Sequence, residues 1–384
     1  MDYHTESLSF KIKKTIRYVS LYGVSRTLGK IKGQYHMKKR YDQLPNPRTE
    51  CDEQKHVGIL GCGNYAFTNI AYYLRRNYGD VIRGVMDTDI NRAASLFDEY
   101  KGCYYTDKQE KIINDPGIDL IYIASNHATH AEYAIAALQQ GKYVHIEKPH
   151  VVNREQLRNL CKTIAQHAGK VVSVGFNRPR SKIGISIRNA LESQSGPAMI
   201  NWFVAGHQID PDHWYFKKEE GGRILGNLCH WTDFTLGLVP RKERYPITIV
   251  PSRSATCDSD IAVTYVFGEG TVAAITFSAK GHTFEGVRER FAAHRGNVLI
   301  SMDDFQHLTI ENVDKKQATR SRTRNHGHEK SFVNSYEIAR GGGEFPSCSV
   351  DYIWETADLF LATKESLDEN RAVTISAYAS DMIL

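Results

Sequence analysis

Between residues 56 and 174, short apolar runs alternate with longer segments whose apolar residues recur every three or four positions. The runs at 56–60, 81–86, 119–124 (DLIYIA), 142–146 (KYVHI) and 171–174 (VVSV) predict strands. Helices are predicted between them, from the glycine loop at 61–66 to about 77, then at 93–100, 130–140 and 154–167. Gly141 and Gly169 close the last two, where a left-handed residue commonly ends a helix. Strands alternating with helices mean βαβ units and a doubly wound parallel sheet.

Beyond residue 176 the alternation stops. Helices are expected at 181–193 and 224–238. Strands are expected at 198–205, 246–254, 260–267, 271–278, 288–294, 297–302 and 305–311. Two more helices, 328–340 and 350–367, close the chain, and the polar stretch 313–328 reads as a mobile loop. Successive strands with helices grouped apart describe an α+β domain with a large, mainly antiparallel sheet. Ahead of both domains, residues 8–40 place Ile12, Ile16 and Val19 at helical spacing, with Gly23, Gly29 and Gly33 interrupting. Leu44-Pro45-Asn46-Pro47-Arg48 reads as a linker, since proline excludes helix. The expected division is a basic extension and linker (1–50), a doubly wound α/β domain (51–175) and an α+β domain (176–384).

Composition supports this division. The 384 residues suffice for two cores, and 41% hydrophobic with 24% charged residues is the balance of a folded protein. No stretch approaches the ~20 apolar residues of a membrane-spanning helix, and the start lacks a secretory pattern. The seven cysteines are scattered, with no C-x-x-C pair, which argues against a disulfide framework or a zinc cluster and for a reducing cytoplasm. Of the net charge of +5, residues 1–50 carry +7 and the remainder −2. The basic character therefore belongs to the extension, and nucleic-acid binding by the whole chain is not expected.

The run Gly61-Cys62-Gly63-Asn64-Tyr65-Ala66 follows a predicted strand and opens a predicted helix, the context in which a glycine loop binds a dinucleotide. Gly61 permits the tight turn, Gly63 lets the pyrophosphate approach the backbone, and Ala66 lets the helix pack closely. Asp87, 21 residues after Ala66 at the end of the second strand, suits the adenosine ribose hydroxyls and repels a 2′-phosphate, favouring NAD over NADP. Two alternatives stay open: Asp87 opens a turn in Asp87-Thr88-Asp89, or nearby Arg92 accommodates the phosphate of NADP.

Glu147-Lys148-Pro149 follows the fourth strand, at the end of a parallel sheet where ligands bind. A lysine there can orient a hydroxyl or carbonyl, or relay a proton. GCGNYA, IASNHATHAEYAIAALQQGKYVHIEKP, VGFNRPRSK and GGRILGNLCHWTDFTLGL together resemble the Gfo/Idh/MocA family of NAD(P)-dependent sugar oxidoreductases over about residues 55–378. The resemblance implies Lys148 as catalytic lysine, with Glu147 beside it, and His230 as general base or acid. It implies Ser125, Asn126 and His127 on the nicotinamide side. Asn177, Arg178, Trp214, Arg223 and Asp233 would face or frame the substrate. It also implies a cis Lys148–Pro149 bond. The sequence departs from many members at Gly226, where an aspartate four residues before the histidine is usual.

A sugar hydroxyl loses its proton only with assistance, and neutral imidazole, with its pKa near working pH, suits that task. The expected mechanism has His230 taking the proton while Lys148 polarises the oxygen. Arg223 reads equally as an anion-binding residue or a structural ion-pair partner. His127 and His130 lack companions for a metal, so no metal site is expected; His326 and His328 read as solvated and Cys229 as a packing residue. The resemblance points to a sugar or nucleotide-sugar substrate in surface-polysaccharide synthesis and to a cytoplasmic homo-oligomer, a dimer or tetramer. The extension would pack on its own chain or a second copy, lie on an anionic membrane surface, or meet an acidic partner. Two rival functions fit the same residues: transient use of NAD for epimerisation or glycosidic elimination, and a non-enzymatic dinucleotide sensor.

Overall fold

The N-terminal segment forms two helices, α1 (Leu8–Tyr22) and α2 (Val24–His36). Ser7 caps α1 by accepting from the Phe10 N–H at 3.2 Å, and Gly23, at φ +82°, ends it. Gly29 and Gly33, expected to break the pattern, lie inside α2 instead. Close packing explains Gly33: a Cβ there would stand 2.2 Å from Thr68 Cγ2 and 2.5 Å from Asn64 Oδ1. The structure, a computed structural model, describes residues 6–167, 169–170, 172–206, 208–210, 212–253, 260–280, 284–379 and 382.

The chain divides into two units. One holds residues 25–175 and 328–354; the other holds the described residues of 1–24, 176–327 and 355–379. Thus α1 belongs to the second unit, where Arg17 pairs with Glu285 at 2.7 Å and the Leu21 carbonyl accepts from Arg324 N at 2.8 Å. By contrast α2 packs within the first.

The first unit is built on β1 (Val57–Leu60), β2 (Ile82–Met86), β3 (Tyr104–Thr106), β4 (Leu120–Ile123), β5 (Tyr143–Ile146) and β6 (Val172–Val174), all parallel, in the order β3-β2-β1-β4-β5-β6. This is the doubly wound Rossmann order. β1 and β4 are buried at every position, so they read as continuous apolar runs. The helices are α3 (Ala71–Tyr78), entered through a π turn at Ala66–Ile70, α4 (Ile90–Glu99), α5 (Gln109–Ile113), α6 (His130–Gln139) and α7 (Arg154–Gln166). The sequence pattern missed β3 and α5, of three and five residues, too short to display a period.

Cys51 and Cys103 form a disulfide, contrary to the expectation from cysteine spacing. They are 52 positions apart, and the fold brings their Cα atoms to 5.4 Å. Beside the bond, Arg48 N donates to the Cys103 carbonyl at 2.9 Å, which pins the linker to the unit. The pairing removes the scattered cysteines as an argument for a reducing compartment. Cys257 lies outside the described residues.

The second unit carries α8 (Lys182–Glu192), β7 (Ala198–Ala205), α9 (Cys229–Leu238), β8 (Ile247–Arg253), β9 (Asp260–Val266), β10 (Val272–Ser278), β11 (Arg288–Arg295), β12 (Val298–Asp303), β13 (His307–Asn312) and β14 (Lys315–Arg320). α10 (His328–Ile338) returns to the first unit, α11 (Val350–Glu369) begins there, and β15 (Val373–Ile375) completes the second sheet. The nine strands run β14-β13-β12-β11-β7-β10-β9-β8-β15, antiparallel except for the β7–β10 pair. Trp202, Phe277 and Phe291 face the interior, where Trp202 Nε1 donates to Thr235 Oγ1 of α9 at 3.1 Å. The expected loop at 313–328 is instead β14, a connection and the start of α10. All six residues of KKQATR are exposed on an edge strand, so no apolar alternation could announce it. Among the described residues no helix is long and apolar enough to cross a membrane.

Candidate active site

The glycine loop leaves β1 through Gly61, at φ +92°. A Cβ there would lie 2.5 Å from the Ala124 carbonyl and the Ser125 nitrogen, so glycine lets the ends of β1 and β4 touch. At Gly63 a Cβ would meet nothing within 4 Å, which leaves the backbone approachable. Asn64 accepts at its carbonyl from Thr68 Oγ1 at 2.8 Å, and Ala66 is fully buried beneath the opening helix. The Tyr65 ring turns to α10, with its centroid 6.1 Å from His328 and 6.2 Å from Phe332.

Asp87 opens the turn that was one of its anticipated roles and also reaches back to the glycine loop. One carboxylate oxygen accepts from Cys62 N at 2.8 Å, and the other accepts from Asp89 N at 2.9 Å, opening the turn. Burial raises its pKa, while these two N–H groups and Arg92 work the other way. Each oxygen keeps a lone pair for a further donor such as a ribose hydroxyl. Arg92 pairs with Asp89 at 3.5 Å, as does Arg40 of the linker segment at 3.4 Å.

The ends of β4 and β5 complete this edge. Ser125 Oγ lies 2.8 Å from Thr129 Oγ1, the Asn126 carbonyl accepts from Thr129 N at 3.1 Å, and His127 is buried. His130, read from sequence only as a helix start, stands with Nδ1 2.8 Å from the Pro149 carbonyl and Nε2 3.1 Å from that of Ser125. It therefore ties the two loops together. Glu147 is buried, 3.3 Å from His145 Nε2, and a Cβ on Gly175 would fall 2.6 Å from its carboxyl. Lys148 is half-buried, and its bond to Pro149 is cis. The parallel sheet thus gathers Gly61–Ala66, Asp87, Ser125–His127 and Glu147–Lys148 at the carboxyl ends of β1, β2, β4 and β5. Their chemistry fits a dinucleotide: an approachable backbone at a helix start for the pyrophosphate and a carboxylate for the ribose.

In the second unit His230 sits half-buried near the start of α9, its ring 6.1 Å from Phe176 and 6.0 Å from Trp231. Asn177 Nδ2 donates to the His326 carbonyl at 2.6 Å. Two residues expected to face substrate are held inside. Arg178 is buried and forks onto Glu289, with Nη2 to Oε1 at 2.7 Å and Nε to Oε2 at 2.9 Å, over the Trp231 ring. Asp233 is buried and accepts from Thr356 Oγ1 at 3.0 Å. Trp214 is half-exposed in a short turn, and Arg223 is buried with its guanidinium 5.9 Å from the Phe216 centroid. Gly226, at the aspartate position, lies in a π turn at Ile224–Leu228 and accepts at its carbonyl from Tyr215 OH at 3.2 Å.

Neither histidine read as solvated is so. His326 lies 3.4 Å from Glu289, and His328 begins α10 beside Tyr65. Sequence reasoning passed over Glu289 itself. Its signal was present: in the alternation of β11 it occupies an inward position, where a charge calls for a partner.

Residues 55–176 match the model of the GFO_IDH_MocA oxidoreductase family, NAD-binding Rossmann fold. An inositol 2-dehydrogenase of Salmonella typhimurium is 27% identical over 185 residues, 42% of this chain and 55% of that protein. The chain therefore spans about half the length of that relative. A scyllo-inositol 2-dehydrogenase (NAD(+)) of Bacillus subtilis is 23% identical over 276 residues, 67% of this chain and 77% of that one. A levoglucosan dehydrogenase solved with NADH and levoglucosan shares the fold at TM-score 0.70 and 19% identity, covering 83% of this chain and 99% of that one. The likeness to the Gfo/Idh/MocA oxidoreductase family thus rests on residues 55–176, which resemble its NAD-binding Rossmann domain.

Proposed function

We propose that the chain transfers a hydride between NAD and a hydroxyl-bearing carbon of a sugar or polyol. The observation that carries this reading is Lys148: it follows β5 at the same sheet edge as the glycine loop and Asp87. Bound NAD supplies the hydride acceptor; the chain's own residues hold substrate and manage the proton. Lys148 polarises the substrate oxygen with its ammonium. His230, in the second unit, takes the hydroxyl proton as general base. Glycine at 226 stands where members of the similar family usually carry an aspartate. Asn177, Trp214 and Arg223 belong to the substrate side. Arg178 and Asp233 act there only through the elements they pin. Asp87 favours NAD over NADP because a 2′-phosphate would meet its carboxylate.

For the substrate, the relatives' names support inositols and anhydrosugars, and we infer a free or nucleotide-linked saccharide of that class, with polysaccharide synthesis as one setting. The outward sheet face supports a homo-oligomer, since Met199, Phe203 and Leu299 stand 56%, 50% and 50% exposed on it. The test is NAD reduction at 340 nm across myo-inositol, scyllo-inositol, levoglucosan and nucleotide sugars, with His230→Asn beside the wild type. Turnover with at least one, reduced in His230→Asn, is expected. Near wild-type turnover in that variant would remove His230 from the mechanism. Substrate conversion without net NADH would favour epimerisation, and NADH binding without any conversion would favour a sensor.

A further inference from the structure

The second helix of the extension lies on the phosphate loop, and its residues are fitted to that place. Gly33 faces Asn64 and Thr68 so closely that a Cβ there would displace their side chains. Arg26, between the rings of Tyr72 and Tyr73 at 5.0 and 5.1 Å, donates to the Thr68 carbonyl and to Asn69 Oδ1 in the π turn that opens the following helix. His36, buried, stacks on Phe67 with centroids 4.1 Å apart. Its Nε2 lies 2.6 Å from the Cys62 carbonyl and its Nδ1 2.9 Å from Ser95 Oγ.

A carbonyl can only accept, so Nε2 carries the hydrogen and the Ser95 hydroxyl donates to Nδ1. Burial, the largest influence, lowers the His36 pKa to about 4, which keeps this neutral tautomer at working pH. The carbonyl that His36 holds shares a planar trans peptide with the Gly63 N–H, which therefore points the opposite way. The preceding peptide is fixed too, through the bond from Cys62 N to Asp87. Two consecutive peptides of the loop are clamped, one by the ribose-binding carboxylate and one by the extension.

We propose that His36, carried on α2, is a positioning residue of the dinucleotide site: by holding the Cys62 carbonyl it aims the Gly63 N–H at the pyrophosphate. This rests on the reading of Gly61–Ala66 as the dinucleotide loop. It gives the basic extension a role beyond packing, and one local to the cofactor's phosphates.

The test uses the full chain and NADH fluorescence, with ADP-ribose and adenosine as competitors. His36→Phe keeps the ring stack and removes the donor. We expect it to weaken NADH and ADP-ribose about tenfold, the effect of one lost hydrogen bond, and to leave adenosine, which lacks the pyrophosphate, unchanged. His36→Gln, whose amide can reach the same carbonyl, is expected to restore affinity to within about threefold. Equal affinities in wild type and His36→Phe, or an equal loss for adenosine, would overturn the proposal. If His36→Phe fails to fold, Ser95→Ala takes its place. Releasing the tautomer should weaken NADH about threefold, and no change would overturn the proposal. A wild-type chain that binds no NADH would instead remove the dinucleotide reading itself.

Discussion

Two buried carboxylates, Asp87 in the first unit and Glu289 in the second, are satisfied by different means. In the first, Asp87 is satisfied by backbone N–H groups of Cys62 and Asp89, which lie in the turns ending β1 and β2. In the second, Glu289 is satisfied by side chains from distant segments: Arg178, Trp231 and His326. Nearby, Asp304 and Glu285 share Arg324 at 2.9 and 3.1 Å, and Glu285 also takes Arg17 from α1. A backbone-held carboxylate keeps lone pairs for an incoming ligand and needs only the local turn. A side-chain-held carboxylate is committed to the interior and fastens separate elements to one another. The first arrangement suits a binding site. The second suits a scaffold, and in it Arg178, in a site-like sequence, is committed to Glu289.

The largest effect should come at a strand end. Lys148→Ala is expected to lower kcat by about 10²–10⁴ and to leave stability within about 1 kcal/mol, measured by steady-state NAD reduction and denaturant melts. A large stability loss with modest kinetic change would place Lys148 with the scaffold and break the contrast. Glu289→Gln should do the reverse. It leaves Arg178 buried without its counter-charge, at a loss of about 3–5 kcal/mol of stability, while NADH affinity stays within about twofold. A twofold change is small beside a tenfold step of about 1.4 kcal/mol. Unchanged melting would show that the Glu289 network does not act as a scaffold.

The smallest effect concerns Asp115, a first-unit carboxylate held partly by side chains. Burial pushes its pKa up, but donors from Arg83 at 2.9 Å, Tyr104 at 2.8 Å and Gly117 N at 2.8 Å outweigh burial and hold it below the ordinary 3.8. With the folded value depressed, its contribution to stability is complete above 3.8 and fades as pH falls through the lower folded value. Melts between pH 5 and 2 should therefore show a stability decline that Asp115→Asn makes shallower. An identical slope in the variant would remove Asp115 as its source.

Much of the cofactor side was legible because its signals are short in sequence. Gly61, Gly63 and Ala66 report the tight turn, the approachable backbone and the close helix within six residues. Asp87 needed only the end of the next strand. Lys148 was marked by its place after an apolar run. Other elements gave no local signal. β14 is an exposed, charged edge strand, and Gly33 of α2 is explained only by Asn64 and Thr68. Arg178 and Asp233 looked like ligand contacts, yet their partners, Glu289 and Thr356, stand more than a hundred positions away.

The sequence by itself determined the two kinds of sheet, the glycine loop and Asp87 at the ends of β1 and β2, and the candidate lysine and histidine. Each depends on a period of two or 3.6 residues, or on a turn that neighbouring residues can satisfy. Only the tertiary structure decided the Cys51–Cys103 pairing, the interior use of Arg178 and Asp233, and the seating of α2 on the phosphate loop. These rest on groups that must be paired once folding removes them from water, and the partner is whichever segment arrives there, however far along the chain it lies.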